Sequence, residues 1–224
     1  MKTAIIIGST GLVGSRLLNI LAQDKRYSAV YSISRNKPHD LPEKATHIPF
    51  EGGNYDIPHT CDVAFCCLGT TMKKAGSKEA FLTVDFGMVV DFARKAKVTG
   101  INHLAVVSSI GANAGSSNFY LGTKGRVEEQ LKQVGFERLV IVRPSLLLGK
   151  RSEKRFGEDM GKVFYSLFKF VLVGPLRKYR GIDAGDVAKA MIVLADKGEG
   201  TVVAESNELV VLSGQYNDES LQTR

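Results

Sequence analysis

The chain has 224 residues, 44% of them hydrophobic and 24% charged, enough for one sizeable α/β domain with a buried core and short for a two-domain dehydrogenase. No run approaches the roughly 18 consecutive apolar residues that cross a bilayer, so no membrane-spanning helix is expected. The net charge is +7, yet Lys and Arg are spread along the chain without an aromatic-interleaved basic run, which argues against direct nucleic-acid binding and suits a polyanionic small ligand.

The first element reads as a buried strand, Thr3 to Ile7, followed by glycines and the helical pattern Val13, Leu17, Leu18, Leu21. Val30 to Ile33 is a second strand, and the irregular stretch Lys37 to Thr60 holds one weak strand near His47–Phe50. Asp62 to Leu68 is a strong buried strand, and Lys78 to Ala96 carries helical periodicity through Phe81, Val84, Val89 and Phe92. Leu104 to Val107 is the next strand, then come a Gly/Ser/Asn-rich loop and a helix from about Phe119 to Gln133. Leu139 to Val142 is closed by Arg143-Pro144, because proline cannot continue a central ladder. The tail adds helices near Gly157–Val171 and Ala184–Asp196 and a strand near Leu209–Leu212.

Strands alternating with helices predict a doubly wound α/β fold, a Rossmann-type parallel sheet with right-handed crossovers and helices on both faces. Residues 1–224 read as one domain, with 144–224 forming a small substrate-side extension. The apolar segment at the start, Ala4 to Ile7, is too short for the h-region of a secretory signal, so a cytoplasmic protein is expected. Cys61, Cys66 and Cys67 have neither metal-ligand spacing nor an even disulfide framework. Cys66 and Cys67 sit in an apolar run as small hydrophobes, a redox role being the alternative. No metal site is expected.

Gly8-Ser9-Thr10-Gly11-Leu12-Val13-Gly14 has the form G-x-x-G-x-x-G between the first strand and the first helix. The first glycine permits a tight turn, the second lets backbone approach a pyrophosphate, and the third allows helix to pack on strand. The helix start then offers free N–H groups and a positive dipole end to phosphates. A plain βα turn is the simpler reading of three glycines among 23, but the place in an alternating β/α chain favours a dinucleotide. An NAD site commonly has Asp or Glu at the end of the second strand, whereas this chain has Ser34-Arg35-Asn36-Lys37. Arg35 suits a forked contact with a 2′-phosphate, with Lys37 able to add to it, so NADPH is the expected cofactor.

Tyr120-Leu-Gly-Thr-Lys124 puts a phenol and an ammonium one helical turn apart. The ammonium favours the phenolate, and a hydroxyl from Ser108 or Ser109 at the preceding strand end would polarise a carbonyl, giving an acid site for hydride transfer. Tyr165 and Lys169 repeat the spacing, but no serine-bearing strand end precedes them, and they read as a helix face.

With the glycine turn, Ser108-Ser109, Tyr120-x-x-x-Lys124 and Arg143-Pro144 in this order, the chain resembles the short-chain dehydrogenase/reductase superfamily. Phe65-Cys-Cys-Leu-Gly-Thr-Thr71, Ser116-Ser-Asn-Phe119 and Arg143-Pro-Ser-Leu-Leu-Leu148 resemble the branch containing the HIV Tat-interacting oxidoreductase and its bacterial relatives, over roughly residues 3 to 195. The resemblance implies that Ser9, Thr10, Gly11, Leu12 and Val13 cradle the pyrophosphate and that Arg35 and Asn36 surround the 2′-phosphate. It implies that Leu68 and Gly69 line the cofactor channel, that Leu147 and Arg155 approach the cofactor, and that Tyr120 donates a proton with Lys124 as partner. Two departures stand out: Asn36 occupies a place where relatives carry a second basic residue, and the helical Asn of the best-known members has no clear counterpart, Asp85 falling near its place. The expected activity is NADPH-dependent reduction of a small-molecule carbonyl. An NADPH-binding regulator or sensor without turnover is the reading from a different class. A homodimer is among the assemblies the resemblance allows.

Overall fold

The computed structural model describes residues 1–149 and 180–222. Along β1 (Lys2–Ile7) the inward residues alternate: Ala4 and Ile6 join one core, Ile5 and Ile7 the other, and all four are buried. A strand buried on both faces is the mark of a sheet covered on both sides. β4 (Val63–Cys66), β5 (His103–Val107) and β6 (Arg138–Arg143) repeat the alternation, with Phe65, Ala105 and Val140 on one face and Ala64, Leu104 and Ile141 on the other.

With β2 (Tyr27–Ser34), β3 (Ala45–Pro49) and β9 (Gly200–Glu205) these strands form a seven-stranded parallel sheet in the order β3-β2-β1-β4-β5-β6-β9. Helix α1 (Leu12–Gln23) and, later in the chain, α6 (Ala184–Asp196) and α7 (Ser206–Gln222) cover one face. Between β4 and β5 the chain forms α2 (Met72–Ala75), α3 (Lys78–Leu82), a π-helical turn over Thr83–Met88 and α4 (Val89–Val98). Helices α4 and α5 (Phe119–Gln133) cover the opposite face. A two-residue pair, β7 (Leu147–Leu148) with β8 (Ile182–Asp183), stands apart from the main sheet. The strand order reverses between β1 and β4, so the crevice over their C-terminal ends is the switch point at which such folds bind ligands.

The doubly wound Rossmann-type architecture is thus as expected from the sequence, with two local differences. Leu209–Leu212 is part of helix α7, not a strand: Leu209 is buried while Val210 and Val211 face solvent. A short apolar run is ambiguous between the two states, and here the Glu208 carboxylate accepts the Glu205 N–H at the helix start. The strand that does close the sheet, β9, is an edge strand with only Ala204 buried, too weakly patterned to be read. Of the expected substrate-side extension, α6 and β9 are given to the main layers, and the expected helix near Gly157–Val171 lies outside the described residues.

Away from the switch point, Asp24 ties three elements together. Arg26 Nη2 lies 2.7 Å from its Oδ2, the Tyr216 hydroxyl of α7 donates to that oxygen at 3.0 Å, and Arg26 reaches Asp196 at the end of α6. Burial alone would raise the Asp24 carboxyl, but hydrogen bonds and charge from Arg26 outweigh it and hold the carboxyl below its ordinary value. A lowered folded-state value stabilises the fold above about pH 4, and that contribution is lost as pH falls through the lowered value. Asp24→Asn is therefore expected to lower stability at neutral pH and to flatten the acid side of the stability curve, as read by denaturant melts between acid and neutral pH. A second prediction concerns packing: an added Cβ at Gly14 would lie 2.2 Å from the Gly8 carbonyl oxygen. Gly14→Ala is expected to cost about 1–3 kcal/mol in the same melts, the usual cost of overpacking.

Candidate functional site

Gly8 sits at the end of β1 with φ +82, and a Cβ there would fall 2.7 Å from the carbonyl carbon and oxygen of Cys67. Only glycine meets both demands. Gly11 caps α1 with extended backbone, no side chain hydrogen-bonds the cap, and no acid occupies the first turn. The helix start therefore keeps unsatisfied N–H donors and a positive end pointing into the switch-point crevice. These residues fit a nicotinamide dinucleotide: the turn has the close backbone approach a pyrophosphate needs, and the dipole favours its charge.

The members of the turn are not equivalent. Thr10 and Gly11 are exposed and Leu12 half-buried, while Val13 and Gly14 are buried. Ser9 is also buried, its hydroxyl 2.7 Å from that of Ser32 on β2, so its side chain ties the turn to the sheet and leaves only backbone for a ligand. Arg35 and Asn36 follow β2 directly and are exposed, on the strand whose Ile33 pairs with Ile7. Leu68 and Gly69 follow β4, the first half-buried and the second exposed. Leu147 in β7 packs against the α1-side core, and a Cβ on Gly149 would lie 3.1 Å from Leu12 Cδ1, so this segment borders the turn. Arg155, and the second Tyr165/Lys169 match, lie outside the described residues.

On α5 the Asn118 carboxamide caps the helix through Leu121 N–H, and the buried Phe81 ring of α3 packs against both Phe119 and Tyr120, with centroids 5.6 and 5.7 Å away. One turn on, Lys124 is only 5% exposed. Its Nζ lies 2.8 Å from Asp85 Oδ1, and a Cβ on Gly69 would lie 3.8 Å from it, so the ammonium sits under the loop that follows β4. The two serines after β5 separate clearly. Ser108 is buried and donates to Glu128 Oε1 at 2.5 Å, whereas Ser109 is half-buried and makes only a 3.3 Å contact with the Ile110 carbonyl oxygen. Of the two hydroxyls, that of Ser109 is the one able to turn toward a ligand.

The sequence reading of the site missed Glu128, and it named Asp85 only as falling near the place of a missing Asn, without its pairing with Lys124. Glu128, 2% exposed, receives Ser108 and a forked contact from Arg143, whose Nη2 and Nε lie 2.5 and 3.0 Å from its oxygens. The hydrogen bonds that Arg143 donates to Glu128 outweigh burial and raise its guanidinium above the ordinary value. Asp85, fully buried on the π-helical turn, accepts the Thr70 N–H at 2.7 Å beside its pairing with Lys124. The available signal for each was a charged residue at an inward helical position: Phe81, Asp85 and Val89 follow at intervals of four, as do Tyr120, Lys124 and Glu128. The cysteines are buried or half-buried and unpaired. Burial pushes Cys61 and Cys66 up to about 12 and Cys67 well above the ordinary thiol value, which keeps them protonated and supports a packing role. No group of three or more potential metal ligands occurs among the described residues, nor is any described helix long and apolar enough to cross a membrane.

Fold and site define a nicotinamide-dinucleotide-binding protein of the short-chain dehydrogenase/reductase type. Residues 3–115 match the family described as "Semialdehyde dehydrogenase, NAD binding domain". "Protein FMP52, mitochondrial" of Meyerozyma guilliermondii is 35% identical over 94% of this chain and 91% of its own length. "Protein HTATIP2" of Rattus norvegicus is 35% identical over 97% of this chain and 91% of its own length. The chain belongs to the family of the FMP52 and HTATIP2 proteins. Among solved structures, a putative NAD-dependent epimerase/dehydratase from Bacillus halodurans superposes with TM-score 0.67 at 20% identity, covering 96% of this chain and all of the other. The human epimerase family protein SDR39U1, solved with NADPH, gives TM-score 0.59 at 16% identity over 91% of this chain and 74% of its own. These likenesses support a nicotinamide cofactor and an oxidoreductase type of function. They also correct one expectation. The FMP52 relatives are named as mitochondrial, which overturns the cytoplasmic placement. A missing h-region speaks only to secretory export, and organelle addresses of other kinds need none.

The Ser108–Glu128–Arg143 cluster yields its own test. Glu128→Ala strands a partly buried guanidinium and leaves the Ser108 hydroxyl without its acceptor, at an expected cost of about 3–5 kcal/mol in urea unfolding. A loss below about 1 kcal/mol, the level of a surface pair, would mean that solvent screens the cluster and that Ser108 is free to face the ligand.

Proposed function

We propose that the protein is an NADPH-dependent reductase of a small-molecule carbonyl compound. The observation that carries this reading is the buried Lys124 ammonium, one turn from Tyr120 and beneath the Gly69 loop at the switch point. Backbone N–H groups of Thr10, Leu12 and Val13 would hold the pyrophosphate, the Gly11 N–H being given to the Gly8 carbonyl, and Arg35 with Asn36 would meet the 2′-phosphate. Leu68, Gly69 and Leu147 would line the channel. When bound, NADPH supplies the hydride. The Tyr120 hydroxyl donates the proton that the reduced carbonyl oxygen requires, with the Lys124 charge favouring its release. Ser109 orients the carbonyl by donating a hydrogen bond, while Ser108 stays with Glu128. The pairing of Lys124 with Asp85 favours a second reading, an NADPH-binding regulator without turnover, because a paired ammonium acts less strongly on a phenol.

The readings separate by mutation. Tyr120→Phe is expected to abolish NADPH oxidation by aldehydes and quinones in steady-state assays while NADPH affinity stays near wild type, and retained turnover would move the acid elsewhere. Wild-type binding without turnover across such a panel would favour the regulator. Arg35→Ala is expected to weaken NADPH binding by about 1.5–3 kcal/mol, the range for hydrogen bonds to charged groups, and to leave NADH nearly unaffected in fluorescence titrations. Equal losses for the two cofactors would remove Arg35 from the 2′-phosphate.

A further inference from the structure

Asp85 is the most deeply buried charged group among the described residues that the proposed chemistry does not use. Its side chain is fully buried, flanked along the helix by buried Phe81 and Val89. Asp85 lies on the π-helical turn Thr83–Met88, a wider turn of a kind that is rare inside helices and frequent at functional sites. Oδ2 accepts the Thr70 N–H at 2.7 Å, and Oδ1 faces Lys124 Nζ at 2.8 Å. A Cβ on Gly69 would lie 3.6 Å from that Oδ1 and 3.8 Å from that Nζ, so the loop after β4 rests directly on the ion pair.

Stability does not account for such an arrangement, because a buried ion pair gains little over apolar packing of the same volume. What the pair does is join the loop after β4, the π-helical turn and α5 through one carboxylate. It also fixes the ammonium. The carboxylate 2.8 Å away supplies the counter-charge that a buried ammonium requires. The other titratable groups close by are the Cys66 thiol at the end of β4, held protonated by burial, and Tyr120 and Glu128 one turn to either side on α5, the last engaged by Ser108 and Arg143.

We propose that Asp85 is the positioning residue of the site: it keeps Lys124 charged, aims its ammonium at the cofactor side, and sets the loop after β4 over it through Thr70 N–H. This rests on the dinucleotide reading above, and its test separates the two. Asp85→Asn keeps one oxygen for Thr70 N–H and takes from Lys124 both the opposing charge and the acceptor it faces. In the full-length protein with carbon-13 and nitrogen-15 labelled lysine, the Lys124 signal, identified by its loss in Lys124→Arg, should titrate about 1–3 pH units lower in Asp85→Asn than in wild type. NADPH affinity should fall about tenfold, the worth of one charge-assisted hydrogen bond. With phenanthrenequinone as probe, the alkaline limb of NADPH oxidation should move down in pH together with the Lys124 signal. Asp85→Glu, which keeps the charge, should restore the Lys124 midpoint.

An unmoved Lys124 midpoint would overturn the proposal. So would a moved midpoint with wild-type NADPH affinity and pH profile, which would make the pair purely structural. Wild-type protein gives a reading that needs no variant: adding NADPH should shift the Lys124 signal, and an unshifted signal with NADPH bound also overturns the proposal. A wild type that binds NADPH and does not turn over would sink the reductase reading alone, leaving the lysine and affinity measurements to decide Asp85.

Discussion

Between the Gly14 Cα and the Gly8 carbonyl oxygen there is no room for a methyl group, and the same holds between Gly8 and the carbonyl of Cys67. These two close approaches lock the β1–α1 turn against the end of β4. They bring the bare start of α1 to the point where the strand order reverses. Most of what the site offers hangs on that constraint. With a side chain at either glycine, α1 would ride away from the sheet and its N–H donors would leave the crevice. The channel proposed along Leu68, Gly69 and Leu147 would then lose its floor.

Around this turn the protein spends buried charge in two places, and both surround α5. Lys124 faces Asp85, and Glu128 faces Arg143 and Ser108. Each pair is anchored by the loop that follows a central strand, β4 through Thr70 and β5 through Ser108, so α5 is held against the strand ends on its inner side. Phe81 adds apolar support at Tyr120. The side chain proposed as the proton donor therefore projects from a helix fixed by packing above and by paired charges below. Ser109, after β5, carries the comparatively free hydroxyl.

The fold was largely legible in the sequence because its strands are buried on both faces and announce themselves as short apolar runs between glycines. α5, over Phe119–Gln133, and α6, over Ala184–Asp196, have the expected bounds, since each starts at an Asn or Asp cap and runs on helical periodicity. The end of the chain was less legible. In β9 only Ala204 is buried, so hydrophobic pattern is faint, and Leu209–Leu212 looks like a strand until Glu208 and the buried Leu209 are seen in a helix. At the site, residue types pointed to the glycine turn, Arg35, Tyr120 and Lys124. They did not distinguish Ser108 from Ser109, nor reveal that the Ser9 hydroxyl turns inward to Ser32. Those distinctions depend on which partner lies across the sheet, and nothing local in the sequence encodes that. The partners of Lys124 and Ser108 were hidden for the same reason, although an acid at an inward helical position was there to be noticed.

The most direct test of the account is titration of the purified wild-type chain with NADPH and with NADH at one fixed ionic strength, following nicotinamide fluorescence. The account predicts saturable binding of both, with NADPH the tighter because Arg35 and its neighbours meet the added phosphate. Saturation by neither would contradict it at the root, leaving the glycine turn as a packing device and the Rossmann-type sheet as a scaffold for another task.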